Sequence, residues 1–188
     1  MSNELTYADP GPLGLAAFGL SFFALSMINA GIFPGSVTGI IVPIALFYGG
    51  VAEVIVGWIA FKLNNLFAAT AFTSYGMLWI SLGTTIYLEL NHVLNFGGDA
   101  GLAMGLYLIS WTIFTIYIWI ASFKTTKLLT LLFSLLLLDL IALSIGAFGN
   151  PLFTTLGGWG GLVTSLLAWY ISAAAVINST FGRTVLRG

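Results

Sequence analysis

The chain has 188 residues, 59% hydrophobic and only 6% charged, with five Lys or Arg against six Asp or Glu. Soluble domains carry about a quarter charged residues, so an ordinary cytosolic globular domain and a disordered chain are both excluded. A net charge of −1 offers nucleic acid no basic surface, and the lack of cysteine excludes disulfides, thiolate catalysis and Cys-based zinc sites.

A membrane-spanning helix needs about 20 largely apolar residues. In chain order, the first predicted span is Leu13–Gly31. Pro12 suits its first turn, where the missing N–H costs nothing. No basic residue precedes this span and no small-x-small cleavage site follows it, so it is expected to stay rather than be removed as a signal peptide. The second span is Val37–Phe61, with Pro43 predicting a kink near its start. The third is Leu66–Leu88, followed by a polar connection from Glu89 to Ala100. The fourth, fifth and sixth are Gly101–Phe123, Leu128–Phe148 and Gly157–Ile177. Long, continuously apolar runs predict an all-α six-helix bundle and argue against a β-barrel. The connections leave no room for a soluble domain, so residues 1–188 are expected to form one transmembrane domain.

Basic residues prefer cytoplasmic flanks. Lys62, Lys124, Lys127, Arg183 and Arg187 all fall on one side if there are six spans, which predicts both termini inside and the Glu89–Ala100 loop outside. The pairs Gly35/Gly39, Gly101/Gly105 and Gly157/Gly161 have the spacing that lets helices approach closely in lipid, either between protomers or within one bundle. Asn29 and Asn178 read as helix-interface residues, and the six tryptophans mostly as belt and packing residues.

Two carboxylates, Glu53 and Asp139, lie inside spans without a Lys, Arg or His at the same depth. A charge at mid-bilayer costs roughly 2.5–3.5 kcal/mol on insertion scales. Each therefore either holds a proton or faces water, as a proton site, as part of a pathway wall, or as a protonated group bonded to a neighbouring helix. In span three, Thr70, Thr73, Ser74, Ser81, Thr84 and Thr85 fall within about 120° of the helix circumference. This stripe could bind a permeating solute, but hydroxyls of this kind more often bond carbonyls one turn back.

Enzyme chemistry is not expected. An intramembrane serine protease needs a buried base for its nucleophile, and the one histidine, His92, lies in a loop. Haem or copper would need Cys or a second His, no metal site is expected, and no phosphate-binding glycine loop with a Lys is present. No cofactor is expected, and transport remains as the leading class.

Several strings carry a specific resemblance. Ala8-Asp9-Pro10-Gly11-Pro12-Leu13-Gly14-Leu15 opens span one, and Phe47-Tyr48-Gly49-Gly50-Val51-Ala52-Glu53 lies in span two. Thr70-Ala71-Phe72-Thr73-Ser74-Tyr75-Gly76 with Trp79 lies in span three, and Phe181-Gly182-Arg183-Thr184-Val185-Leu186 closes the chain. Over essentially its whole length the chain resembles the acetate uptake transporter family. The resemblance implies six-helix protomers in a hexamer, one pore per protomer, in the plasma membrane. The implied substrates are acetate, related short monocarboxylates and in some members succinate, with proton coupling. It also implies an apolar constriction at Phe18, Tyr75 and Leu135, with Ala168 near the same pore. A hexameric urea or short-amide channel is the alternative, and a membrane sensor or assembly factor the third possibility.

The chain departs from the family pattern at four places. Asp9 stands for an Asn, Glu53 for a Gln, Asn64-Asn65-Leu66-Phe67 for a Gly-Asn-Thr-Phe string, and Ala175 for an acidic residue. Two amides thus become acids, and Arg183 is a candidate partner for Asp9 at the inner vestibule. If Leu135 faces the pore, Leu138 and Asp139 share its face, so Asp139 is expected on the pore side. If Tyr75 faces the pore, its neighbours are Ala71, Phe72, Leu78, Trp79 and Leu82. Thr70, Thr73 and Ser74 are then mostly structural or at the inner vestibule.

Overall fold

The computed structural model describes residues 7–187, and these form six helices long and apolar enough to cross a membrane. We label them α1 (Gly11–Asn29), α2 (Gly35–Lys62), α3 (Leu66–Leu90), α4 (Gly97–Ser122), α5 (Lys127–Ala147) and α6 (Pro151–Phe181). The all-helical, six-span expectation is borne out. Side-chain caps start two helices: the Asn65 carbonyl oxygen accepts the Ala68 N–H at 3.0 Å, and the Thr126 hydroxyl accepts the Leu129 N–H at 3.2 Å.

The helices follow one another around a ring. α1 packs on both α2 and α6, α6 on α5, α5 on α4, and α2 on α3. The ring closes differently at α3 and α4, whose backbones hardly meet. Side chains bridge that seam: the Tyr107 hydroxyl of α4 donates to the Leu78 carbonyl of α3 at 2.7 Å and lies 2.8 Å from the Ser81 hydroxyl.

Helix α2 is irregular where the sequence placed a kink. Gly35–Ile40 is a 3₁₀ turn, Ile41–Pro43 is α-helical, and Ile44–Ala52 is a π-helix before α-geometry resumes at Glu53. Pro43 cannot donate back up the helix, and π-turns take i→i+5 bonds instead of i→i+4. Gly49 and Gly50 follow, and side chains there would not fit. A Cβ at Gly49 would stand 2.8 Å from Trp79 and 2.9 Å from Ser21 Cβ, while one at Gly50 would stand 2.7 Å from the Ala45 carbonyl.

Helix α6 is longer than its predicted span. Its 31 residues measure about 46 Å at 1.5 Å each, against a hydrocarbon core of about 30 Å. The turns before Gly157 contain Thr154 and Thr155, which dilute the apolar signal.

The glycine pairs resolve unequally. Gly157 faces Leu143 and Gly161 faces Ser26 and Phe22, while Gly101 meets the Ala147 carbonyl and Gly105 the Phe148 ring. These four serve packing within the chain, whereas Gly35 has no atom within 4 Å of the place a Cβ would take.

Candidate functional site

One face of each ring helix is turned inward, and the inward residues recur at helical spacing. On α1 they are Leu15, Phe18, Phe22 and Leu25, and on α5 Leu132, Leu136, Leu140 and Leu143. On α3 they are Ala71, Phe72, Tyr75, Leu78, Trp79, Leu82 and Ile86. This α3 set contains all five neighbours that the 100° geometry assigns to Tyr75.

These faces enclose two chambers. A proximal chamber of about 490 Å³ lies at the end of the bundle where α1 begins and α6 ends, reached by Asp9, Asn65, Thr126 and Asn178. A distal chamber of about 300 Å³ lies toward the other end, reached by Asn29, Thr38 and Thr154. The residues common to both walls are Phe18, Tyr75 and Leu136. All three are nearly inaccessible, at 6%, 5% and 4% exposure, so the chambers meet at an apolar waist.

Tyr75 is held firmly in that waist. Its hydroxyl lies 2.9 Å from the Thr115 hydroxyl, which itself donates to the Trp111 carbonyl at 2.8 Å. Thr115 has a single proton, so Tyr75 is the donor between the two hydroxyls. Its ring is flanked by Phe133, Phe114 and Trp111 at centroid distances of 6.3, 5.2 and 6.3 Å. Phe18 leans on Phe22 at 5.5 Å, and Phe22 on Trp79 at 6.4 Å.

The remaining expected site residues are distributed as follows. Leu135 lines neither chamber, and Leu136 stands at the waist instead. One residue is 100° of helix, so the inferences drawn from Leu135 shift with it. Leu138 is 62% exposed on the outer surface. Asp139 lies in the seam between α5 and α6 and lines neither chamber: its Oδ2 accepts the Thr164 hydroxyl proton at 2.6 Å, and Gly160 leaves room for it. The expectation that Asp139 faces the passage is therefore corrected. Ala168 is fully buried but lines neither chamber.

Glu53, directly after the π-helix, is in the wall of the proximal chamber with no accessible surface and no hydrogen-bond partner on either oxygen. Asp9 lines the same chamber, and its carboxylate accepts the Gly11 N–H at 2.9 Å. No ion pair joins it to the exposed Arg183 among the described residues. Thr70, Thr73 and Ser74 line neither chamber, and Thr73 abuts Gly57 of α2. Farther along the stripe, Thr84 and Thr85 donate to carbonyls one turn back at 2.7 and 3.0 Å.

Asn178 does more than interface packing. Its side chain accepts the Val185 and Leu186 N–H groups at 2.7 and 2.9 Å and donates to the Leu186 carbonyl at 2.7 Å, folding the C-terminal tail beside the proximal chamber. Nothing local in the sequence signals this, because the partners are backbone groups beyond a turn at Gly182. Asn178→Ala removes all three bonds, each worth about 1 kcal/mol, and amide hydrogen exchange at Val185 and Leu186 should rise by roughly one to two orders of magnitude.

Six spanning helices around two chambers joined at one apolar waist define a multi-pass membrane protein of the channel or transporter class. The chain belongs to the GPR1/FUN34/yaaH family, which it matches over residues 2–186, in agreement with the resemblance seen in its motifs. It is 37% identical to the succinate-acetate/proton symporter SatP of Escherichia coli, over 95% of this chain and 94% of that one. It is 41% identical to accumulation of dyads protein 2 of Saccharomyces cerevisiae over 90% of its own length, but spans only 62% of that longer protein. The solved structure of the bacterial acetate channel SatP superposes with a TM-score of 0.89 at 36% identity, covering 97% of this chain and 99% of that one.

Proposed function

We propose that this chain carries acetate, similar short monocarboxylates and the dicarboxylate succinate across the plasma membrane through the two chambers. It acts as a transporter or channel rather than as an enzyme, and passage is linked to protons. The single transmembrane domain spans 1–188, both termini are cytoplasmic, and the proximal chamber opens to the cytoplasm. Protomers assemble as hexamers with one pathway each.

The observation that carries this proposal is the waist of Phe18, Tyr75 and Leu136 between two chambers, in a fold shared with an acetate channel. A dewetted apolar constriction opposes bare ions, whereas acetic acid presents a methyl group and sheds its charge with its proton. Ala168 backs the path, Thr70, Thr73 and Ser74 stand behind the proximal wall without lining it, Arg183 lies outside that end, and Asp9 and Glu53 supply its acidic groups. Purified protein in proteoliposomes should take up radiolabelled acetate well above empty vesicles and well above urea. Acetate uptake no faster than in empty vesicles overturns the proposal.

Asp139 has a structural part in this scheme, as the acceptor that ties α5 to α6 through Thr164. Asp139→Asn keeps an acceptor oxygen, so the pH profile of acetate uptake should stay unchanged. Thr164→Val should lower thermal stability in detergent by the equivalent of about 1–3 kcal/mol, because a buried acceptor loses its donor.

A further inference from the structure

The waist borders the weakest joint in the ring of helices. Backbone packing runs from α3 through α2, α1, α6 and α5 to α4, and is nearly absent between α4 and α3. Among the described residues, the hydrogen bonds across that seam come from two tyrosines. Tyr107 reaches from α4 to α3 beside the distal chamber. Tyr75 reaches from α3 to Thr115 of α4 at the waist itself. Thr115 is fully buried and lines neither chamber, so the Tyr75 hydroxyl donates its proton behind the wall and not into the path. Thr115 is oriented in turn by its own bond to the Trp111 carbonyl. Because α4 packs on α5, this one bond ties Tyr75 to the helix pair that carries Leu136, another member of the same constriction.

We propose that Thr115 is a positioning residue for chain-length selectivity: by accepting the Tyr75 hydroxyl proton it holds that ring across the waist and keeps a polar donor out of the path. This deepens the carboxylate passage proposed above and rests on it. Valine has nearly the shape of threonine but offers no acceptor. With valine at this position the Tyr75 ring loses its anchor on α4, and its hydroxyl becomes a buried donor without a partner. That hydroxyl is then free to turn toward a passing carboxyl, a contact that is the same for every monocarboxylate. The loosened ring is felt differently, because a longer apolar chain presses on the constriction harder than a methyl group does. Losing the bond therefore favours the longer acid over the shorter one.

The test is uptake of labelled acetate and butyrate by proteoliposomes, read as the butyrate-to-acetate ratio. Thr115→Val should raise that ratio about fivefold, the weight of one neutral hydrogen bond. Tyr75→Phe keeps the ring, removes the hydroxyl and should raise it by the same factor. The double variant should match either single one, because both changes delete the same bond. Thr115→Ser keeps the acceptor and should hold the wild-type ratio. A threonine that only fills space would act equally in the Tyr75→Phe background, and serine would not replace it. A wild-type ratio in Thr115→Val or in Tyr75→Phe overturns the proposal, as do additive effects in the double variant or failure of Thr115→Ser. Should Thr115→Val not fold, Tyr75→Phe and Thr115→Ser still decide. The bond is also read without transport, in the Raman doublet of the Tyr75 phenol taken by difference against Tyr75→Phe. Its donor signature should vanish in Thr115→Val and persist in Thr115→Ser, and an unchanged doublet in Thr115→Val overturns the proposal. Absence of wild-type uptake of both acids would instead overturn carboxylate passage itself.

Discussion

Leu136→Ala should open the waist. The leucine is 4% exposed and common to both chamber walls, so trimming it removes apolar bulk from the narrowest part of the path. At about 0.8 kcal/mol per methylene-sized group, a barrier lower by 1–2 kcal/mol corresponds to roughly a tenfold gain in rate. The gain should be larger for butyrate than for acetate, because the longer chain meets the constriction harder. The discriminating control is Leu135→Ala, which removes the same atoms one position away and should change neither rate nor selectivity by more than about twofold. Paired proteoliposome uptake of labelled acetate and butyrate reads both variants. A selectivity change in Leu135→Ala with none in Leu136→Ala would return the constriction to Leu135.

Gly158→Ala should be the most damaging single methyl in the chain's ring closure. A Cβ there would meet backbone rather than side chain, standing 2.6 Å from the Asn29 carbonyl carbon and 2.7 Å from Ala30 Cα. Side chains can rotate away, but the end of α1 cannot move without loosening its packing on α6. Overpacking of this kind costs about 1–3 kcal/mol or more, so the melting temperature in detergent should fall by roughly 5–10 °C. Gly35→Ala, with nothing within 4 Å of the new methyl, should leave it within about 1 °C. Equal melting temperatures for the two variants would contradict the close approach of α1 and α6.

The sequence made the six spans legible because hydrocarbon is an unforgiving solvent: a helix must be continuously apolar for some 20 residues. It was less informative about which side of a helix is which. Every residue from Leu135 to Leu138 is leucine, so α5 carries no internal mark of its inward face, and the choice between Leu135 and Leu136 needs neighbours in three dimensions. Helix α3 does carry such a mark: its hydroxyls and its aromatic residues occupy different sides, and the stripe away from Tyr75 is the one away from the chambers. The extra turns at the start of α6 had a signal in Asn150-Pro151, a proline placed where a helix can begin. Apolarity alone overlooked it.

The π-helical stretch in α2 also constrains how this chain can change length. With i→i+5 bonds from Ile44 to Ala52, it holds one residue more per hydrogen-bonded loop than an α-helix needs. Deleting a single residue there would let the helix close as α. Everything from Glu53 to Lys62 would then keep its facing, because the π-turns already absorb the extra residue within their wider hydrogen-bonded loops, and the acid would stay in the chamber wall. A one-codon deletion is thus better absorbed in this segment than in the α-helical half from Glu53 to Lys62, where it would turn every later residue of the helix by about 100°.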